Sequence, residues 1–104
     1  MSRNVRERSH MTSLTTYRRE RVVRLLDLAW ELEARDMPVS IDLPPQDTPI
    51  LRVVGARGFI RVESWHDASG RWYFSWGRVQ SATVHGTTAT ETARAAERIC
   101  EVAR

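Results

Sequence analysis

The sequence predicts an α+β fold: an N-terminal helix, an antiparallel sheet of three to five strands and a C-terminal helix. Three observations lead to it. Near each end of the chain, apolar residues recur at spacings of three and four, the pattern of an amphipathic helix. Between these stretches, large and polar side chains alternate at every second residue, as they do along a strand. Because a chain of 104 residues has room for one hydrophobic core, we expect these layers to form a single domain.

The central element is a β-hairpin predicted over residues 59–78. Trp72, Phe74 and Trp76 alternate with smaller or more polar neighbours, so a strand places these three large rings on one face. Residues 66–70, His-Asp-Ala-Ser-Gly, supply the Asp, Ser and Gly that a tight turn requires. We expect the three rings to be buried against the helices.

The first helix is predicted to begin at Thr16, whose hydroxyl can cap it, and to end at Met37-Pro38. Proline ends it because the residue before a proline disfavours the helical conformation. The predicted apolar stripe of this helix has spacings of three and four and consists of Val22, Leu25, Leu26, Ala29 and Leu32, with Trp30 beside them.

Three further strands are predicted, over residues 39–43, 50–54 and 79–85. Prolines bound the first of them, which places it at an edge of the sheet. Thr88 and Glu91 then form a capping box that starts the last helix. Small residues dominate its apolar stripe and let it lie close to the sheet: Ala89, Ala93, Ala96, Ile99, Cys100 and Ala103.

Residues 1–15 lack apolar periodicity and are predicted to form a disordered basic tail, which leaves 16–104 as the single domain. Ser9-His10-Met11 resembles a cloning junction, which would make part of this tail tag-derived. The charge is unevenly distributed. Up to Arg24 the chain holds seven arginines and two acids, a net +5, and the remainder holds nine arginines and eleven acids, a net −2. The globular body is therefore slightly acidic.

The composition argues against a membrane protein, because no apolar run approaches the ~20 residues that a membrane span requires. The N-terminus shows no hydrophobic signal region, and the single cysteine, Cys100, cannot form an internal disulfide. We therefore expect a cytoplasmic protein without membrane contact.

No residue pattern predicts a catalytic or cofactor site. The three histidines, His10, His66 and His85, lack the spacing of metal ligands and have no cysteine partner. His66-Asp67 lies at the hairpin turn, but no nucleophile or oxyanion donor is placed by sequence to join it. We expect a protein that is not an enzyme and that holds neither a metal nor a cofactor.

A candidate interaction surface is predicted on the sheet. Alternation places Trp65 on the same face as Arg61 and Glu63, and Tyr73 and Arg78 complete the candidate set Trp65, Arg61, Tyr73 and Arg78. The leading hypothesis is a non-enzymatic accessory or regulatory protein that binds another protein or a second copy of itself. A homodimer is expected because a small domain readily buries a leftover apolar face against its own copy.

Two other functions fit parts of the sequence. A nucleic-acid-binding module would use the N-terminal arginine cluster, Arg18, Arg19, Arg21 and Arg24, together with the aromatic residues of the sheet. A small-molecule pocket between sheet and helices would be lined by Trp30, Trp72 and Trp76.

Residues 72–78, Trp-Tyr-Phe-Ser-Trp-Gly-Arg, followed by an alanine-rich helix, resemble small actinomycete proteins of unknown function with a Trp-rich W-x-F-x-W-G strand. That resemblance implies a stand-alone accessory protein found beside transcriptional regulators. Trp76-Gly77-Arg78 also resembles the motif of the WGR domain of poly(ADP-ribose) polymerases, which implies binding to DNA ends, although here Val79-Gln80-Ser81 follows in place of glycines. The helix, strands, helix order is shared with double-stranded RNA-binding domains, whose basic final helix start is replaced here by residues 88–91.

Overall fold

The computed structural model describes residues 2–77 and 82–104, and its α+β architecture has the predicted order. The seven elements are α1 (Ser2–Glu33), β1 (Val39–Asp42), β2 (Ile50–Gly55), β3 (Gly58–His66), β4 (Trp72–Trp76), β5 (Ala82–His85) and α2 (Ala89–Ala103). In the part of the chain described, no helix is long and apolar enough to cross a membrane.

The five strands form one antiparallel sheet in which each strand is hydrogen-bonded to its neighbours in sequence, in the order β1-β2-β3-β4-β5. The predicted hairpin is confirmed as β3 and β4, with Val62 opposite Trp76 and Trp65 opposite Tyr73. Its turn is held by the Asp67 carboxylate, which accepts hydrogen bonds from the backbone N–H groups of Ser69 and Arg71. Carboxylate-to-backbone bonds of this kind favour a tight turn.

Both helices pack on the same side of the sheet, which we name the inner face. Phe74 is fully buried there, and Trp72 and Trp76 are 7% and 5% exposed, so the prediction that these rings form core is confirmed. Leu51 and Val62 of the sheet belong to the same core. Its helical part is Leu25, Leu28 and Leu32 of α1 with Ala95, Ala96, Ile99, Cys100 and Ala103 of α2.

The structure corrects the start and the apolar stripe of α1. The helix begins at Ser2, whereas the sequence prediction begins it at Thr16. Neither glycine nor proline occurs before Pro38, so no residue there breaks a helix. Leu28, which the prediction omitted, is fully buried, while Leu26 is half exposed and Trp30 is 75% exposed. Trp30 is therefore not a core residue.

The capping box that starts α2 is confirmed. The Thr88 hydroxyl accepts the Glu91 N–H at 3.1 Å, and the Glu91 carboxylate accepts the Thr88 N–H at 3.1 Å. The buried stripe is shifted from the predicted one, because Thr92 and Ala95 are buried whereas Ala89 is exposed.

Candidate interaction surface

The side of the sheet away from the helices, which we name the outer face, carries a row of large and charged side chains. Arg61, Glu63 and Trp65 alternate along β3 with the buried Val62 and Ser64. Tyr73 lies opposite Trp65 on β4 and is half-buried. The outer face also holds exposed residues of the β2–β3 hairpin: Arg52, Val54 and Phe59.

Trp65 is held on this face by polar and cationic neighbours. Its indole Nε1 donates a hydrogen bond to the Glu63 carboxylate at 3.2 Å, and Glu63 also lies 3.4 Å from the Arg61 guanidinium. The guanidinium of Arg21 stacks 4.4 Å from the centroid of the Trp65 ring. A cation over an indole face is a favourable arrangement. The ring therefore keeps a fixed orientation although part of it remains open to solvent.

Helix α1 carries Arg21 to this position because it rests directly on β3. The Ser64 hydroxyl, fully buried, donates a hydrogen bond at 2.9 Å to the backbone carbonyl of Arg21. One residue of β3 thus fixes the helix on the inner face, and the next residue, Trp65, receives the arginine side chain. The position of α1 and the orientation of the Trp65 ring therefore both depend on contacts between Arg21 and the neighbouring pair Ser64 and Trp65.

A groove of about 740 Å³ runs beside Trp65, between the outer face and the connection from β1 to β2. The sheet side is lined by Ile50, Arg61, Glu63 and Trp65. The opposite wall is Asp42, Leu43, Pro44, Asp47 and Thr48. The lining combines the Trp65 ring and Ile50 with charged and polar side chains, which makes the groove a candidate binding surface.

The connecting wall of the groove is held in place by Arg18. Its guanidinium donates hydrogen bonds to the backbone carbonyls of Asp47, at 2.8 Å, and of Pro44. Pro44 and Pro45 restrict the backbone of the same segment, and Pro49 is fully buried at its end. The groove is therefore bounded by a stiff, anchored segment.

Acceptor groups outnumber cations in the groove lining. Asp42, Asp47 and Glu63 supply three carboxylates against the single guanidinium of Arg61, and Arg52 pairs with Asp42 at 3.0 Å. Ion pairs this exposed contribute little to stability and are readily exchanged for others. The lining thus offers an aromatic wall and carboxylates to an incoming positively charged group.

The predicted site residues are brought together in part. Trp65, Arg61 and Tyr73 share the outer face, whereas Arg78 lies outside the described residues. Of the N-terminal arginines, Arg18 and Arg21 have the contacts given above. Arg24 donates to the Thr87 carbonyl at 3.0 Å and lies 3.8 Å from Glu20. Three of the four candidate nucleic-acid contacts are thus engaged within the chain, and the fourth, Arg19, is exposed.

The pocket predicted between Trp30, Trp72 and Trp76 is wrong. Trp72 and Trp76 are packed in the core, while Trp30 points outward from α1. Trp30 lines a separate, smaller cleft of about 230 Å³ with Asp27, Glu31 and the start of α2. The prediction failed because it assigned Trp30 to the buried side of a helix that has apolar residues on two sides.

The histidine of the hairpin turn belongs to an aromatic cluster. The His66 ring lies 5.2 Å from that of Trp72 and 5.9 Å from that of Tyr17. Its neighbour Asp67 is engaged by the turn, since hydrogen bonds from the Ser69 hydroxyl and from the Arg71 and Ser69 N–H groups hold the Asp67 pKa below its usual value. Among the described residues, no group of three or more His, Cys, Asp or Glu side chains is arranged to hold a metal ion.

Comparison with protein-family models, with curated proteins and with solved structures finds no match to this chain. The function must therefore be argued from the site itself.

Sequence reasoning missed Arg18 as the anchor of the groove wall and Ile50 as part of its lining, and it assigned no binding role to the 44–49 segment. Asp42 and Asp47 signalled a local excess of carboxylates. Nothing in the sequence shows that this segment faces Trp65, because the contact joins residues far apart along the chain.

Proposed function

We propose that this chain is a non-enzymatic accessory or regulatory protein that acts by binding another protein through the groove beside Trp65. The observation that supports this most is the open outer face, where a fixed aromatic ring borders a cleft of about 740 Å³ while both helices pack on the opposite side. Aromatic anchors beside a cleft are typical of interaction surfaces.

The chemistry of the lining favours an extended, basic segment of the partner. A lysine or arginine side chain entering the groove would meet the carboxylates of Asp42, Asp47 and Glu63 and the ring of Trp65. Charge-assisted hydrogen bonds and cation–π contacts are the strong interactions available to such a side chain. A guanidinium already stacks on this ring within the chain, that of Arg21.

The same lining disfavours nucleic acid. Phosphate groups would approach three carboxylates, and Arg18, Arg21 and Arg24 are already engaged within the chain. We therefore keep nucleic-acid binding as the alternative to protein binding, and the experiment below distinguishes the two.

The test begins with photo-crosslinking in the source cell. A benzophenone amino acid replaces Tyr73, the cross-strand neighbour of Trp65 on the outer face, and in a control chain it replaces Arg98, which is exposed on α2. The captured protein is then purified and titrated by calorimetry against wild type, Trp65→Ala and Glu63→Gln. We expect capture from position 73 alone, and binding weakened about tenfold by each substitution, because both remove a contact at the centre of the site.

Glu101→Gln, the same chemical change at an exposed position of α2, serves as the matched control and should bind like the wild type. Equal capture from positions 73 and 98 would contradict the proposal. Bound nucleic acid, detected by absorbance at 260 nm and released by salt, together with tighter binding by Glu63→Gln, would replace the proposal with the nucleic-acid alternative.

A further inference from the structure

Helix α1 has a second apolar stripe on the side away from the sheet. Leu25, Leu28 and Leu32 are fully buried against the core, yet Val23, Leu26 and Trp30 are 41%, 49% and 75% exposed. A helix that covers a core on one side normally has polar residues on the other. Among the described residues, no segment of the chain covers this exposed stripe.

The spacing of this stripe is that of a helix-packing seam. Positions 19, 23, 26, 30 and 33 are separated by four, three, four and three residues, which is the heptad pattern of helices that pack side by side. Helix α2 leaves it exposed, because α2 meets the end of α1 on another side, where Arg35, two residues after α1, lies 3.7 Å from Glu97. The stripe thus suits a helix from outside the chain.

The two ends of the seam carry opposite charges. Arg19 lies one heptad before Leu26, and Glu33 lies one heptad after it. Both are exposed, and among the described side chains neither forms an ion pair. Two copies related by a twofold axis at Leu26 would place Arg19 of each copy opposite Glu33 of the other. A parallel arrangement would instead oppose like charges, which is unfavourable.

We propose that a second copy of this chain packs antiparallel on the stripe formed by Val23, Leu26 and Trp30, giving a twofold symmetric dimer. Such an interface is self-complementary, because the same stripe serves both copies. Near-antiparallel helices with heptad spacing cross at about 20°, which keeps both ends of the seam in contact. This dimer uses the side of the molecule opposite the groove and does not depend on the function proposed above.

Sedimentation equilibrium over about 1–200 µM tests the proposal on the full chain, since an interface as small as one helix stripe is expected to be weak. We expect a monomer–dimer equilibrium for the wild type. Leu26→Glu should abolish the dimer, because it places two carboxylates at the twofold axis. Arg19→Glu and Glu33→Arg should each raise the dissociation constant about tenfold, since each opposes two pairs of like charges.

The double exchange Arg19→Glu with Glu33→Arg restores both ion pairs and should return the dissociation constant to within about threefold of the wild type. Arg98→Glu on α2 is the matched control for a charge reversal, and Trp65→Ala tests independence from the groove; both should dimerise like the wild type. Circular dichroism of each variant shows whether it is folded. A wild-type monomer throughout, or a dimer that the double exchange fails to restore, would overturn the proposal.

Discussion

The two faces of the central hairpin differ in environment although their residues are adjacent in sequence. Along β4, Trp72, Phe74 and Trp76 are buried on the inner face, whereas Tyr73 and Ser75 on the outer face are only half-buried. Helices cover one face and leave the other open. The alternation of one short strand therefore separates the rings that hold the fold from a ring available for binding.

The tryptophans of the hairpin show the same difference in their contacts. Trp76 belongs to the core cluster, which also contains apolar side chains from both helices. Trp65, in contrast, has a hydrogen bond to Glu63 and a stacked guanidinium. Burial of a large ring contributes mainly through the area removed from water, whereas polar contacts at a half-open ring fix its orientation at little gain in stability.

The largest difference between the two faces is expected when one ring is removed from each. Phe74→Ala should lower the free energy of unfolding by about 3–5 kcal/mol, because it empties a fully buried site in a close-packed core. Tyr73→Ala, one residue away, should cost clearly less, about 1 kcal/mol, because the half-buried ring loses a cross-strand contact with Trp65 but leaves no enclosed cavity. Urea denaturation followed by tryptophan fluorescence measures both. Equal losses would show that the outer face is also part of the stabilising core.

A second variant crowds the same core site instead of emptying it. A Cβ added at Gly86 would lie less than 3.0 Å from three carbons of the Phe74 ring. We expect Gly86→Ala to cost about 1–3 kcal/mol, the range for overpacking in a well-packed interior. Thermal denaturation provides the measurement.

The control for this crowding is the same substitution in a Phe74→Leu background, where the smaller side chain leaves room for the methyl group. Gly86→Ala should cost clearly less there, since the two positions share one space and their effects are coupled. An equal loss of stability in both backgrounds would mean that Gly86→Ala acts through the backbone at residue 86 and not through a clash with the Phe74 ring.

The comparison between faces also explains how much of the molecule could be predicted. Alternation in residues 72–76 and the Thr88 and Glu91 capping box are local patterns, so they predicted the hairpin, the buried rings and the start of α2. Trp65, Arg61 and Tyr73 could be placed on one face for the same reason. Local periodicity is sufficient wherever the structure depends on neighbouring residues.

The rest depends on contacts between distant residues. The exposed side of α1 was mistaken for core because Leu26 and Trp30 fit an apolar stripe as well as Leu28 does, and only the position of the sheet decides between them. The groove depends on Arg18 reaching the connection at Asp47, and helical spacing contains no information about that contact. Charge alone suggested that this arginine was free to bind nucleic acid.

The smallest expected effect on stability is that of the α2 cap, which contributes separately from the buried rings of the inner face. The Glu91 carboxylate accepts N–H groups of Thr88 and Thr87 and lies 2.7 Å from Arg71, and these contacts hold its pKa below the usual value. A lowered pKa in the folded state means that the contribution of the Glu91 carboxylate to stability is fully present above the pKa of a glutamate in the unfolded chain, about 4.3, and is lost as the pH falls through the folded pKa.

Glu91→Gln should therefore destabilise the protein at pH 7, and the stability of this variant should approach that of the wild type as the pH falls from about 6 towards 3. Thermal denaturation across this range, with Glu101→Gln as the matched change away from the cap, measures the difference. If the stability of Glu91→Gln stays parallel to that of the wild type across this pH range, the cap contributes no pH-dependent stability. The packing of α2 on the inner face would then depend on its buried side chains alone.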